Sequence, residues 1–180
     1  MSRTVAVLDY GMGNVKSVCN ALLFLGFNPE LTSDLRKIDE SDGLIIPGVG
    51  AFSAGMQRIE DRNLAPSISK FVETGKPTLG ICLGMQLLFS SGEENGAFDG
   101  LGLLEGKVVP LLKRTKREIR LPHIGWTSVK WKSFSQESSR YYFVHSYVVE
   151  PSDEKIAEGL TVYEDISFVS AVRSGNLMGV

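Results

Sequence analysis

Three times in its first half the chain runs from an apolar segment into a glycine-bearing turn and then into helical spacing. Thr4 to Leu8 stops at Asp9-Tyr10-Gly11-Met12-Gly13-Asn14, after which Val15, Val18, Cys19, Leu22 and Leu25 recur on one helical face. Gly43 to Ile46 runs into Pro47-Gly48-Val49-Gly50, followed by helical segments at Ala51 to Asp61 and Ser67 to Thr74. Thr78 to Ile81 leads straight into Cys82 and a helical stretch, Leu83 to Phe89. The strand-like runs are apolar nearly throughout instead of alternating, the pattern of strands buried on both faces. Alternation of such strands with helices predicts an α/β fold whose central, mostly parallel sheet is flanked by helices.

The second half changes character. Leu103 to Leu111, Thr127 to Trp131, Tyr141 to Val149, Thr161 to Tyr163, Ile166 to Val172 and Leu177 to Val180 read as strands with few helices between them, which predicts a mixed or antiparallel extension of the sheet. No repeat or low-complexity linker divides the halves, so residues 1–180 are read as one domain. A net charge of −2 offers no overall basic field for nucleic acid. Two cysteines are too few for a disulfide framework, and no stretch approaches the ~20 apolar residues of a membrane span. The N-terminus lacks a signal-type apolar region. A soluble, cytoplasmic domain without nucleic-acid or membrane partners is the expectation.

Leu79-Gly80-Ile81-Cys82-Leu83-Gly84-Met85-Gln86 has the form G-x-C-x-G between a strand and a helix, the thiol version of a nucleophile elbow. A sharp strand-to-helix turn puts the central residue in a strained conformation, and flanking glycines remove side chains that would clash there. The helix terminus is expected to lower the thiol pKa, and the Leu83 N–H to bind an oxyanion. The competing reading is an inert buried thiol; the two glycines weigh against it. Cys19, on the apolar face of the first helix, is read as core. Pro47-Gly48-Val49-Gly50 follows a strand as well, and at the carboxyl edge of such a sheet its backbone N–H groups can approach a substrate closely. Gly11-Met12-Gly13 lacks the third glycine of a dinucleotide fingerprint, Lys16 standing there, so nucleotide binding is discounted.

In these segments the chain resembles the class I glutamine amidotransferases, specifically the glutaminase subunit of imidazole glycerol phosphate synthase. Asp9 to Asn14, Pro47 to Gly50, Gly80 to Phe89, Pro122-His123-Ile124-Gly125-Trp126 and Tyr142-Phe143-Val144-His145-Ser146-Tyr147 match that subunit in order. The resemblance implies a flavodoxin-like class I glutamine amidotransferase fold. It also implies that Cys82 attacks the side-chain amide of glutamine, with an oxyanion hole at Leu83 and Val49. Gly48, Gly50, Gly84, Gln86, Ser146 and Tyr147 would hold the glutamine. Asn14, His123, Trp126, Tyr142 and His145 would lie toward a (β/α)8-barrel synthase subunit, bound as a heterodimer. That subunit would use the released ammonia to make imidazole glycerol phosphate and aminoimidazole carboxamide ribotide. No cofactor and no metal are implied. Thr127 stands where the family usually has Asn, a change expected to retune the subunit contact.

A cysteine nucleophile of this kind needs a base oriented by a third group. His123 and His145 are the chain's two histidines, and neither is nominated. In the family the catalytic His and Glu lie in a Q-F-H-P-E-K-S segment after a strand of the form here spelled Ser170 to Val180, so base and acid are expected beyond Val180. The 180 residues alone are accordingly expected to be inactive. Two other readings compete: a stand-alone thiol hydrolase on the same fold, and a catalytically silent docking subunit. The basic run Lys113 to Arg120 is read as a solvated loop, with steering of the synthase partner as the alternative.

Overall fold

The computed structural model describes residues 2–133 and 139–180. The first half contains β1 (Thr4–Leu8), α1 (Val15–Phe24), β2 (Asn28–Thr32), α2 (Leu35–Glu40), β3 (Gly43–Gly48), α3 (Phe52–Asp61), α4 (Ala65–Glu73), β4 (Thr78–Cys82) and α5 (Leu83–Leu87). The second half contributes β5 (Phe89–Gly92), β6 (Phe98–Asp99), β7 (Leu104–Pro110), β8 (His123–Trp131), β9 (Ser139–His145), β10 (Tyr147–Pro151), β11 (Ala157–Tyr163), β12 (Ile166–Ser174) and β13 (Leu177–Gly179). Five strands in the order β2-β1-β3-β4-β13 are parallel, β1, β3 and β4 as the apolar runs predict, while β2 is unexpected and β13 comes from the segment expected in the mixed or antiparallel extension. From β13 the sheet continues antiparallel through β12, β10 and β7. A branch of antiparallel strands, β11-β8-β9, leaves from β12. Strand order reverses at β1, between β2 and β3, and a crevice at such a switch point is where open α/β sheets bind ligands. The loops that open there are Asp9 to Asn14 and Val49 to Ala51.

The main core gathers Leu8, Tyr10, Ile46, Phe52, Ile59, Phe71, Leu83, Leu87 and Phe89 between the sheet and the α3, α4 and α5 layer. Leu22 of α1 covers Val5, Val7 and Ile45 on the other face, with Cys19 packed half-buried beside them. Leu25, expected on that face, follows the end of α1 and is 66% exposed. The predicted helix to Phe89 stops at Leu87, and Phe89 instead opens β5, in register with Leu104 of β7. The segment Tyr141 to Val149 is two strands broken at Ser146, and β8 starts at His123, four residues before the expected Thr127. The sequence Asn28-Pro29-Glu30-Leu31-Thr32 carries no strand signal, yet β2 forms at the sheet edge, where Pro29 is tolerated.

The glycines of the elbow are required by space. A Cβ on Gly84 would overlap the Ile46 carbonyl of β3, and one on Gly80 would meet the Gly84 carbonyl oxygen at 2.7 Å. Gly84→Ala should therefore destabilise the fold by about 3 kcal/mol or more, since backbone and not a side-chain tip must yield. Urea unfolding checks this; a wild-type midpoint would show that α5 can move away from β3 without cost.

Candidate active site

Cys82 closes β4 and caps α5 with φ 54° and ψ −114°. A non-glycine residue held there stores roughly 1–3 kcal/mol of strain. The surroundings over-determine the conformation: the Cys82 N–H donates to the Val180 carbonyl at 2.6 Å, Val180 N–H donates to Gly80 at 3.0 Å, and Cys82 lies in register with Gly48 of β3. The residue is open to solvent at the carboxyl edge of the parallel sheet. This is the elbow that G-x-C-x-G predicts.

The electrostatics differ from the sequence expectation. Although the residue as a whole reaches solvent, the protein packed around it desolvates the Cys82 thiol and pushes it above its usual value, and the Leu83 backbone N–H, bonded toward the sulfur, only partly opposes this. A five-residue helix supplies too small a field to reverse the desolvation. Tyr10, missed by the sequence reading as a site residue, is fully buried beside the elbow. Burial and the nearby Cys82 charge both raise its phenol pKa, and its hydroxyl donates to the Pro47 carbonyl at 2.6 Å. A Cβ on Gly48 would stand 2.5 Å from that hydroxyl and 2.8 Å from the Leu83 Cβ, so glycine alone fits. The one available signal was Tyr10 itself, a bulky polar side chain inside a glycine turn.

The two glycine loops pack on each other. A Cβ on Gly13 would meet the Pro47 Cβ at 3.2 Å, and one on Gly50, which has φ 102°, would meet Met12 Cε at 2.9 Å. Glu94, also missed, accepts from the Phe52 N–H at 2.7 Å and so fixes the start of α3 just after Gly50 and Ala51. Val49 is exposed beyond the end of β3. Gln86 of α5 donates to the Tyr147 carbonyl through a long 3.4 Å bond, which ties the elbow helix to the start of β10. Ser146, at the break between β9 and β10, accepts from Leu111 N–H at 2.9 Å. Gly48, Gly84 and Leu83 are thus brought against Cys82, while Gln86 and Tyr147 form a second pair.

The residues expected to face a partner separate into two sets. Ile124 and Trp126 of β8 lie opposite Val144 and Tyr142 of β9, all four more than half exposed, with the Trp126 and Tyr142 rings edge to face at 5.7 Å. Asn14 is exposed as well, its side chain accepting from Ser17 N–H at the start of α1. His123 and His145 correct the expectation, because alternation along a strand turns them to the opposite face. His123 is 1% exposed and lies between the rings of Tyr163 and Phe143. His145 is half-buried against Phe168, and burial pushes it down to about 4. Thr127, expected to retune the partner contact, also points inward, 2.9 Å from His123 Nε2. The basic run is largely neutralised within the chain: Lys113 pairs with Glu93, Arg114 with Glu150 at 2.8 Å and Arg117 with Asp165 at 2.8 Å. A hollow of about 720 Å³ lined by Arg114, Trp131, Glu150, Glu158 and Phe168 includes none of the predicted site residues.

Two outcomes follow from this geometry. Alkylation of Cys82 should climb with pH through and beyond 9, its ordinary thiol value, because only the thiolate reacts. A rate that levels off below that pH would reveal an ionising partner. Tyr10→Phe should leave the Pro47 carbonyl without its donor and cost about 1–3 kcal/mol, read as a lowered urea midpoint.

The family model for "Glutamine amidotransferase class-I" matches residues 6–180. Among curated proteins, the chain is 42% identical to imidazole glycerol phosphate synthase subunit HisH of Moorella thermoacetica, over 99% of this chain and 85% of that one. It is 44% identical to the HisH subunit of Aquifex aeolicus, over 98% of this chain and 86% of that one. Among solved structures, a glutamine amidotransferase superposes with TM-score 0.76 at 20% identity, covering 97% of this chain and 87% of that chain. PurLQS from Thermotoga maritima superposes with TM-score 0.72 at 20% identity, covering 100% of this chain and 86% of that chain. These two likenesses establish a shared fold. With the elbow cysteine and its glycines in place, the chain belongs to the class I glutamine amidotransferases, in the family of HisH subunits of imidazole glycerol phosphate synthase.

Proposed function

We propose that this chain is a cytoplasmic glutaminase subunit of an imidazole glycerol phosphate synthase, with Cys82 as nucleophile. The observation that carries the reading is the strained Cys82 conformation at the carboxyl edge, facing Gly48 across β3 and backed by the Leu83 N–H. The sulfur adds to the side-chain carbonyl carbon of glutamine, and the oxyanion is held by Leu83 N–H and by Val49 N–H. The carbon–nitrogen bond then breaks, ammonia leaves with a proton, and water hydrolyses the thioester to glutamate. Gly48, Gly50, Gly84, Gln86, Ser146 and Tyr147 bind the amino acid.

The raised thiol needs an imidazole to ionise it at neutral pH. Neither histidine of this chain supplies one, since both ring nitrogens of each are already hydrogen bonded. This reading therefore assigns the base to the Q-F-H-P-E-K-S segment that the family resemblance implies. The ammonia is consumed by a (β/α)8-barrel synthase subunit in a heterodimer, and the exposed Ile124, Trp126, Tyr142 and Val144 face supports docking of such a partner. The product chemistry is imidazole glycerol phosphate and aminoimidazole carboxamide ribotide, in histidine biosynthesis. A reducing compartment keeps Cys82 a thiol. The histidine bonding also favours a second reading, a docking subunit without turnover.

Glutamate formation separates the two. With a barrel subunit present, a chain extended by the Gln-Phe-His-Pro-Glu-Lys-Ser segment and its following helix should form glutamate, and Cys82→Ala in the same chain should abolish it. Failure of the extended chain to turn over glutamine supports the docking reading. Trp126→Ala should weaken the complex by roughly 2 kcal/mol, the scale of an aromatic anchor at an interface. Calorimetry with unchanged affinity would remove the β8 and β9 face from the contact.

A further inference from the structure

The two histidines form a directed chain of hydrogen bonds whose polarity follows from its last member. His145 Nδ1 lies 3.0 Å from the Tyr147 carbonyl oxygen, which can only accept, so Nδ1 carries the proton. The ring is neutral, as its low pKa of about 4 requires near pH 7, and His145 Nε2 is therefore an acceptor. His123 Nδ1, 2.9 Å away, must donate to it. With His123 neutral as well, its Nε2 accepts from the Thr127 hydroxyl at 2.9 Å. Burial also lowers the His123 pKa, in keeping with that state.

The rings have little freedom to turn. His123 is stacked at 4.0 Å on Tyr163 and at 5.0 Å on Phe143, and His145 packs at 5.0 Å on Phe168. Rotating either ring breaks two hydrogen bonds in a setting where an unpaired polar group is costly. At the end of the chain, the Tyr147 carbonyl also receives the long bond from Gln86. At its beginning, Thr127 adjoins Trp126, whose side chain lies on the opposite, exposed face of β8.

We infer that Thr127, His123 and His145 are positioning residues: their one-directional hydrogen-bond chain fixes the Tyr147 carbonyl, and through it Gln86, from the strand that carries the Trp126 face. The inference rests on the proposed glutamine pocket at Gln86, Ser146 and Tyr147. Thr127 accordingly acts on the pocket and not as a contact residue. A hydroxyl is the essential feature at that position, so Ser substitutes for it and the isosteric Val does not.

Two measurements on the full chain test this. Two-bond proton–nitrogen correlation spectra at neutral pH should show both histidines protonated on Nδ1 and bare on Nε2 in the wild type and in Thr127→Ser. In Thr127→Val, His123 should lose its single tautomer. The second measurement compares alkylation of Cys82 by a glutamine-like diazo-ketone with alkylation by iodoacetamide, which needs no pocket. Thr127→Val should slow the first at least about fivefold, the lower end of typical coupling between sites, and leave the second within about twofold. Thr127→Ser should match the wild type in both. A proton on Nε2 of either ring, or an unslowed diazo-ketone reaction in Thr127→Val, overturns the inference. If wild-type Cys82 shows no preference for the glutamine analogue, the pocket reading falls and this inference falls with it. The two failures are distinguishable, since the wild type alone tests the pocket and the variants test the bond chain.

Discussion

The closest backbone approach in the site, α5 against β3 at Gly84 and Ile46, is the constraint on which the chemistry rests. Because no Cβ intervenes, the helix starts directly over the strand ends, and β4 must turn into it within one residue. That residue is Cys82, and the turn forces its φ to 54°. Gly80 clears the inside of the same turn, Gly48 makes room for Leu83 and the Tyr10 hydroxyl, and the Val180 carbonyl holds the Cys82 amide. Strain that would relax in a free peptide is retained because each neighbour is itself fixed by the parallel sheet. The sulfur is thereby presented at the sheet edge.

Position does not by itself ionise the thiol. Desolvation by the same strand ends that hold Cys82 raises its pKa, and one backbone N–H recovers only part of that loss. In the proposed reaction the thiol is aimed by the backbone but still needs a base to ionise it. The histidines of the second half do other work. They satisfy one another inside a small aromatic cluster with Phe143, Tyr163 and Phe168, between the β8 and β9 ribbon and β12. Alternation along β8 and β9 sends His123, Thr127, Phe143 and His145 into this cluster and Ile124, Trp126, Tyr142 and Val144 outward. One ribbon therefore supplies both a candidate docking face and the support of the proposed pocket.

Much of the fold was legible before the structure. The continuous apolar runs of β1, β3 and β4 announced a parallel sheet covered on both sides, and G-x-C-x-G announced the elbow, because steric exclusion acts over a few residues and leaves its mark as glycines. Edge strand β2 was not legible, since pairing on one side only places weak demands on composition. The end of α5 and the break at Ser146 were not legible either, because long-range contacts set them: Phe89 lies in register with Leu104, and Ser146 binds Leu111.

The sequence by itself determined the strand–turn–helix units, the place of Cys82 at the elbow and the glycines that make room for it. Each depends on local backbone sterics, and motif spacing records these directly. Tertiary structure alone decided which way His123, Thr127 and His145 face, that Tyr10 pins Pro47, and that the Cys82 thiol is raised and not lowered. Those outcomes depend on what lies across the sheet and on how much water is excluded. Neither quantity is a property of neighbouring residues in the chain.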